Sequence, residues 1–163
     1  MSTGCTGVEM TNLPRGILNQ NPGNIRPLSH GLTWQGQIGV DTSGSDGAYV
    51  QFDNPRNGIR AIARIMMNYE SVHGIHTLLQ VFQRWAPSSD SNDPANYAGF
   101  VAKVLGVQIS DTVDLHDPAT LTAICQRITL MECGFPPDGS ANWYTDQIFS
   151  DGVGYALGTV VEP

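Results

Sequence analysis

Lysine is almost missing from this chain. Lys103 is the single lysine in 163 residues, and with seven arginines against 15 acidic residues the formal charge is -7. No basic stripe exists that would neutralise several phosphates at once, so nucleic acid and anionic membrane surfaces are poor partners. Long apolar runs are missing too. None approaches the ~20 residues of a membrane span, and residues 1–20 lack the charged start and apolar middle of a signal peptide, so a soluble protein with no export signal of its own is expected. Cysteine is scarce and odd in number. Cys125 and Cys133 fall on one expected helix, eight residues and about 12 Å apart, too far to bridge each other. Three separate thiols, or a bridge from Cys5 to one of these two in an oxidising compartment, both stay open.

Familiar catalytic signatures are absent as well. The four histidines (His30, His73, His76 and His116) include no His-Glu-x-x-His, and His73 and His76 straddle Gly74 at a helix break, so no metal site and no cofactor are expected. No Gly-x-Ser-x-Gly supports a serine nucleophile, and Gly44-Ser45-Asp46-Gly47 is flanked by expected strands, unlike a phosphate-binding loop.

What is present suits one globular domain over 1–163. With 40% hydrophobic residues, a chain of this length buries roughly 68–70% of its unfolded surface without a metal or disulfide. Residues 1–20 have no period and read as an extended arm. Strands are expected near 33–39 and 48–52, joined by the turn-rich segment 41–47 as a hairpin. Helical stripes follow: Ile59, Ile62, Ala63, Met66 and Tyr69 up to Gly74, then Leu78, Phe82 and Trp85 up to Pro87. Asp93-Pro94 and Asp117-Pro118 each place a capping carboxylate before a proline at the first helical position. The helices they start carry Tyr97, Phe100, Val101 and Val104, and Leu121, Cys125, Ile128 and Glu132. Residues 135–163 read as an irregular extension with a short helix around 142–149.

Glutamate is rare, which makes one of the four conspicuous. Positions 121, 125, 128 and 132 share a helix face that is apolar until Glu132 takes its last turn. Burial disfavours the charged form, and the partial negative charge of a helix C-terminus disfavours a second anion. A carboxylic acid kept protonated near neutral pH suits a general acid acting on a basic leaving oxygen such as that of a sugar. A glutamate that merely ends its helix and tilts into solvent is the competing reading.

Asn21-Pro22-Gly23-Asn24-Ile25-Arg26, Trp34-Gln35-Gly36, Phe52 to Gly58-Ile59-Arg60-Ala61, and Trp85-Ala86-Pro87 with Tyr97 together resemble a lysozyme-like family of phages and prophages. The ordered set spans about 21–134. The same elements are similar to peptidoglycan N-acetylglucosaminidases of the flagellar rod-cap type, in which a helix ending in Glu-Ser-Gly comes first. Here Met131-Glu132-Cys133-Gly134 resembles that helix end but lies late in the chain, and Asp93 to Ala98 resembles the family's Asp-Pro-x-Tyr-Ala helix start. The resemblance therefore implies an α+β, lysozyme-like fold, mainly helical with a two-stranded hairpin and possibly circularly permuted.

It also implies hydrolysis of β-1,4 bonds in peptidoglycan, N-acetylglucosaminidase ahead of muramidase or lytic transglycosylase, with Glu132 as general acid and Tyr97 beside the scissile bond. A second carboxylate is sought among Asp41, Asp46 and Asp53, each also suited to a turn. Trp34, Trp85 and Tyr97 are candidate sugar platforms, with core packing the competing role for Trp85. Asn24 and Arg26 are placed to hydrogen-bond acetamido or lactyl groups, or to structure their loop. The setting implied is an effector delivered by type VI secretion without a signal peptide, acting in a target's periplasm and blocked there by an immunity protein. A phage virion enzyme is the alternative, and a non-enzymatic wall-binding module the competing class.

Overall fold

An oxygen-bearing side chain followed by proline starts three of the long helices. Asn54, Asp93 and Asp117 accept backbone N–H bonds from Arg56, Asn96 and Thr120 at 2.9, 3.1 and 3.0 Å. They open α2 (Pro55–His73), α4 (Pro94–Leu105) and α5 (Pro118–Cys133). The proline lacks only an N–H that would have had no helical partner. Thr77 and Thr145 cap α3 (Leu78–Trp85) and α6 (Asp146–Leu157) in the same way.

This computed structural model describes residues 12–163. Among them, the helices are joined by a short α1 (Arg15–Leu18) and by one antiparallel pair, β1 (Gln37–Asp41) and β2 (Tyr49–Phe52), with Val40 opposite Val50 and Asp41 opposite Tyr49. The fold is α+β and mainly helical, with a two-stranded hairpin. No described helix is long and apolar enough to cross a membrane.

The core lies between α2 and the helices around it. Ile59, Ile62 and Met66 of α2, Phe82 of α3, Ile124 and Ile128 of α5 and Phe149 of α6 are all fully buried, each side chain worth about 1.5–3 kcal/mol of transfer free energy. Helix α6 comes so close to α2 that a Cβ on Gly152 would stand 2.7 Å from Ile59 Cβ and 2.8 Å from the Arg56 carbonyl.

The structure corrects four expectations. Residues 12–20 are not all extended arm: α1 forms after Pro14, and Asn19 accepts Phe52 N–H through its carbonyl at 2.9 Å, tying the segment to β2. The remainder of that arm, with Cys5 and Glu9, lies outside the described residues. Strand β1 starts at Gln37, because Gln37 N–H closes a turn onto the Trp34 carbonyl and Gly36 sits at φ 78°. In α4 the buried face is Ala98, Val101 and Ala102, while Phe100 and Val104 are exposed; Phe100 lies beneath the Arg127 guanidinium at 3.9 Å. The C-terminal region is more regular than its composition suggests: α6 runs twelve residues, well beyond 142–149, its glycines serving close packing.

Candidate active site

Asn21 builds one wall of the site. It is fully buried; its Oδ1 accepts Ile25 N–H at 2.8 Å, and its Nδ2 donates to the Ile25 and Val50 carbonyls at 2.9 Å each. The loop 21–25 is thereby clamped along β2, and Val50 N–H adds a bond to the Ile25 carbonyl at 2.9 Å. Within the clamp Asn24 takes φ +48°, a left-handed conformation that asparagine tolerates better than most residues. That turn aims its amide at the end of α5.

There Asn24 Nδ2 donates to Glu132 Oε2 at 3.2 Å, while the indole Nε1 of Trp85, the last residue of α3, donates to Oε1 at 3.2 Å. Each carboxylate oxygen thus has one N–H donor, brought from a different part of the chain. Burial is the largest influence on the half-buried Glu132 and holds its pKa above the usual carboxylate value; the bonds from Asn24 and Trp85 act the other way without cancelling it. The other amide atom, Asn24 Oδ1, is buried with no partner among the described residues. A protonated Glu132 has an O–H to give, and that oxygen accepts it once the amide turns over. Asn24 can therefore serve either state of the acid.

Glu132 sits in an open cleft of about 600 Å³. Trp34 and Trp85 line it together with Tyr49 and Tyr69, so aromatic surface faces the carboxylate from both the hairpin side and the helical side. Trp34 is fixed by its Nε1 donating to the Arg26 carbonyl at 3.1 Å. Arg26 and Arg84 also line the cleft, as does Asp90, which ends a 3₁₀ turn at Ser88–Asp90. Beside the acid, burial and the Glu132 charge push the Cys133 thiol up to about 12, so it stays protonated and offers no nucleophile. Among the described residues, Cys125 and Cys133 form no disulfide.

Of the residues expected at the site, the structure brings Glu132, Asn24, Arg26, Trp34 and Trp85 together and leaves the others elsewhere. Asp41 accepts from Arg15 Nε at 2.7 Å, Asn19 Nδ2 at 2.9 Å and Ser43 N–H at 2.8 Å, and the arginine bond above all holds its carboxyl far below the usual range. Asp46 accepts from Tyr49 Oη and Arg15 Nη1, both at 2.6 Å, and its pKa is lowered chiefly by the tyrosine. Asp53 is bonded to Asn57 and Asn54. These three carboxylates tie the hairpin and the start of α2 to their surroundings, and none lines the cleft. Tyr97 also lies off the cleft, packed on Phe82 with ring centroids 6.1 Å apart, because that face of α4 is turned toward α3.

Sequence reasoning missed Asp90, Arg84, Tyr49 and Tyr69. Asp90 stands in a Ser/Asp/Asn-rich turn that looks like any loop, and the two tyrosines look like strand and helix core. Away from the cleft, Glu70, Asp114 and His116 bring ligand-type atoms within 4.8 Å of one another, which no sequence spacing announces. Glu70 there accepts Leu115 N–H and pairs with His116 Nδ1, both at 2.7 Å, clamping the loop before α5.

No protein-family model matches the chain. A relative does: Protein P5 of Pseudoalteromonas phage PM2 is 36% identical over 112 residues, which make up 68% of each of the two chains.

Proposed function

The chain belongs to the family of Protein P5 of Pseudoalteromonas phage PM2, and from that premise and the cleft we propose that it is a lysozyme-like glycosidase cutting β-1,4 bonds in peptidoglycan, N-acetylglucosaminidase ahead of muramidase. One observation carries the reading: a half-buried carboxyl with raised pKa, held by one donor on each oxygen, at an aromatic cleft. Protonated Glu132 gives its proton to the leaving glycosidic oxygen as the C–O bond breaks, and the sugar ring takes on oxocarbenium character. Trp34 and Trp85 hold the pyranose faces, since apolar C–H faces of sugars pack on aromatic rings.

Among the described residues, Asp90 is the carboxylate that lines the cleft with Glu132, and we assign it the role first sought on the hairpin. It is the group to stabilise the developing cation or to activate the attacking water. The phage source of the relative supports a phage or prophage enzyme over a secreted effector with an immunity partner; detection of the protein in purified particles tests that setting.

Digestion of purified sacculi followed by mass spectrometry tests the chemistry. A reducing N-acetylglucosamine end is the expected product, a reducing muramic end identifies a muramidase, and an anhydro end a lytic transglycosylase. Sacculi left intact after long incubation would overturn the enzymatic reading in favour of a wall-binding module.

A further inference from the structure

Most of the protein's charge is negative, yet two of its eight basic residues line the same cleft. Arg26 comes from the loop beside the hairpin, and its guanidinium lies 4.6 Å above the Tyr49 ring. Arg84 comes from the last turn of α3, and its guanidinium lies 5.2 Å above the Tyr69 ring. Each lies within two residues of a group that holds Glu132: Arg84 immediately precedes Trp85, and Arg26 follows Asn24 by two residues.

Arg15 is paired with Asp41 and Asp46, and Arg56 with Asp151. The other five of the seven arginines, namely Arg26, Arg60, Arg64, Arg84 and Arg127, have no carboxylate partner among the described residues, and of these Arg26 and Arg84 line the cleft. Arg26 makes only long bonds, at 3.4 Å to the Ala48 carbonyl and 3.5 Å to Tyr49 Oη, and Arg84 reaches His73 Nε2 at 3.3 Å. Most of their N–H groups are therefore unspent. Stacking on a tyrosine restrains a guanidinium while leaving its in-plane donors facing outward, and the planar fork suits a carboxylate bidentately.

We propose that Arg26 and Arg84 form two carboxylate subsites flanking Glu132, so that the cleft selects glycan strands bearing free acid groups, such as the lactyl carboxylate of muramic acid where the stem peptide has been removed, over strands whose lactyl group is amide-linked and over neutral chitin-type chains. The inference rests on the glycosidase reading and deepens it by naming what the substrate must carry. A neutral amino-sugar polymer would use the aromatic platforms and leave both arginines idle. An acidic strand is repelled by the protein's net charge at long range, so its selection depends on these short-range contacts.

Calorimetric titration of Glu132→Gln, which leaves the ligand uncut, tests this with three probes: the tetrasaccharide of alternating N-acetylglucosamine and N-acetylmuramic acid, the same sugar with its lactyl carboxylates converted to methylamides, and chitotetraose. The acid form is expected to bind at least tenfold more tightly than the methylamide and chitotetraose. Adding Arg26→Gln and Arg84→Gln should bring acid and methylamide to within about twofold. Equal binding of acid and methylamide by the parent overturns the proposal and leaves the glycosidase reading standing. Preference for the acid that survives loss of both arginines overturns the assignment to these residues. Failure of all three sugars to bind overturns the inference and the sugar-cleft reading together.

Discussion

The helical half and the hairpin half of this protein share one apolar core but differ in how much polar bonding is added to it, and the cleft lies where they meet. Around α2 the contacts are apolar: Ile62, Met66, Phe82 and Phe149 have essentially no exposed surface. Around β1 and β2 a polar network is added to the buried Val50 and Phe52. Arg15 binds Asp41 and Asp46, Asn19 binds Asp41, and buried Asn21 ties the Ile25 loop to Val50. A hydrophobic core is tolerant of direction, whereas a hydrogen-bond network fixes positions to a few tenths of an ångström. The half that must aim Asn24 at Glu132 is the half with the added directional bonds.

Chemistry at the junction should show the largest single effect. Glu132→Gln cannot supply a proton, and general acid help is worth roughly 10²–10⁴-fold, so the rate at which sacculi lose turbidity should fall by at least that much. Glu70→Gln serves as the helical-half control: Glu70 clamps Leu115 and His116 and lies off the cleft, so lysis should stay near wild type. Loss of lysis in Glu70→Gln with none in Glu132→Gln would move the active site to the first long helix.

Next in size are substitutions that break each half by its own means. Phe82→Ala empties a fully buried site and should cost about 3–5 kcal/mol, read from urea unfolding as a loss shared by the whole domain. Asn21→Ala removes three bonds of 2.8–2.9 Å and strands buried backbone groups, at about 1–3 kcal/mol for each group left unsatisfied. Its signature differs from that of Phe82→Ala. Amide exchange should rise in 21–26 and in β2 while α2 and α5 keep their protection, and lysis should fall because Asn24 loses its aim. Uniform deprotection by Asn21→Ala would dissolve the distinction between the halves.

The same division explains what could be read from the sequence. Helical stripes and Asp-Pro caps announce themselves through period and spacing, so α2, α3, α5 and the starts of α4 and α5 were legible. Glu132 was legible because it interrupts such a stripe. The hairpin network was not, since a bond such as Arg15 to Asp41 joins residues 26 apart and leaves no period. Asp41 and Asp46 therefore looked free for catalysis when both were already engaged by Arg15. Helix α6 was hidden for a steric reason: Gly152 reads as a loop former, yet here its missing Cβ admits Ile59. The sequence offers Asn24 and Trp85 as sugar contacts, but their bonds to Glu132 are tertiary and nothing local encodes them.

The smallest effect expected is also the one that opposes the two halves most directly, through the sign of their pH dependence. Glu132 has a folded pKa raised by burial, so the folded protein binds more protons than the unfolded chain. Its contribution to stability is full below the unfolded value of about 4.3 and is lost as pH climbs through the folded pKa. Asp41 is the reverse. Its folded pKa is lowered first of all by Arg15, so its contribution is present above about 3.9 and is lost as pH falls toward the folded value. Glu132→Gln does not titrate, and its carboxamide can accept from Trp85 and donate to the unpartnered Asn24 Oδ1. Its thermal midpoint should thus match or exceed that of wild type at neutral pH, with the difference in its favour shrinking as the pH is brought toward 4. Asp41→Asn should fall below wild type at neutral pH, and that deficit should narrow on acidification. Thermal midpoints of the three proteins measured from pH 3 to pH 8 decide the matter. A Glu132→Gln difference that stays flat across the range would mean that the folded state holds no excess proton at Glu132, and the acid at the junction would then be no different from a surface glutamate.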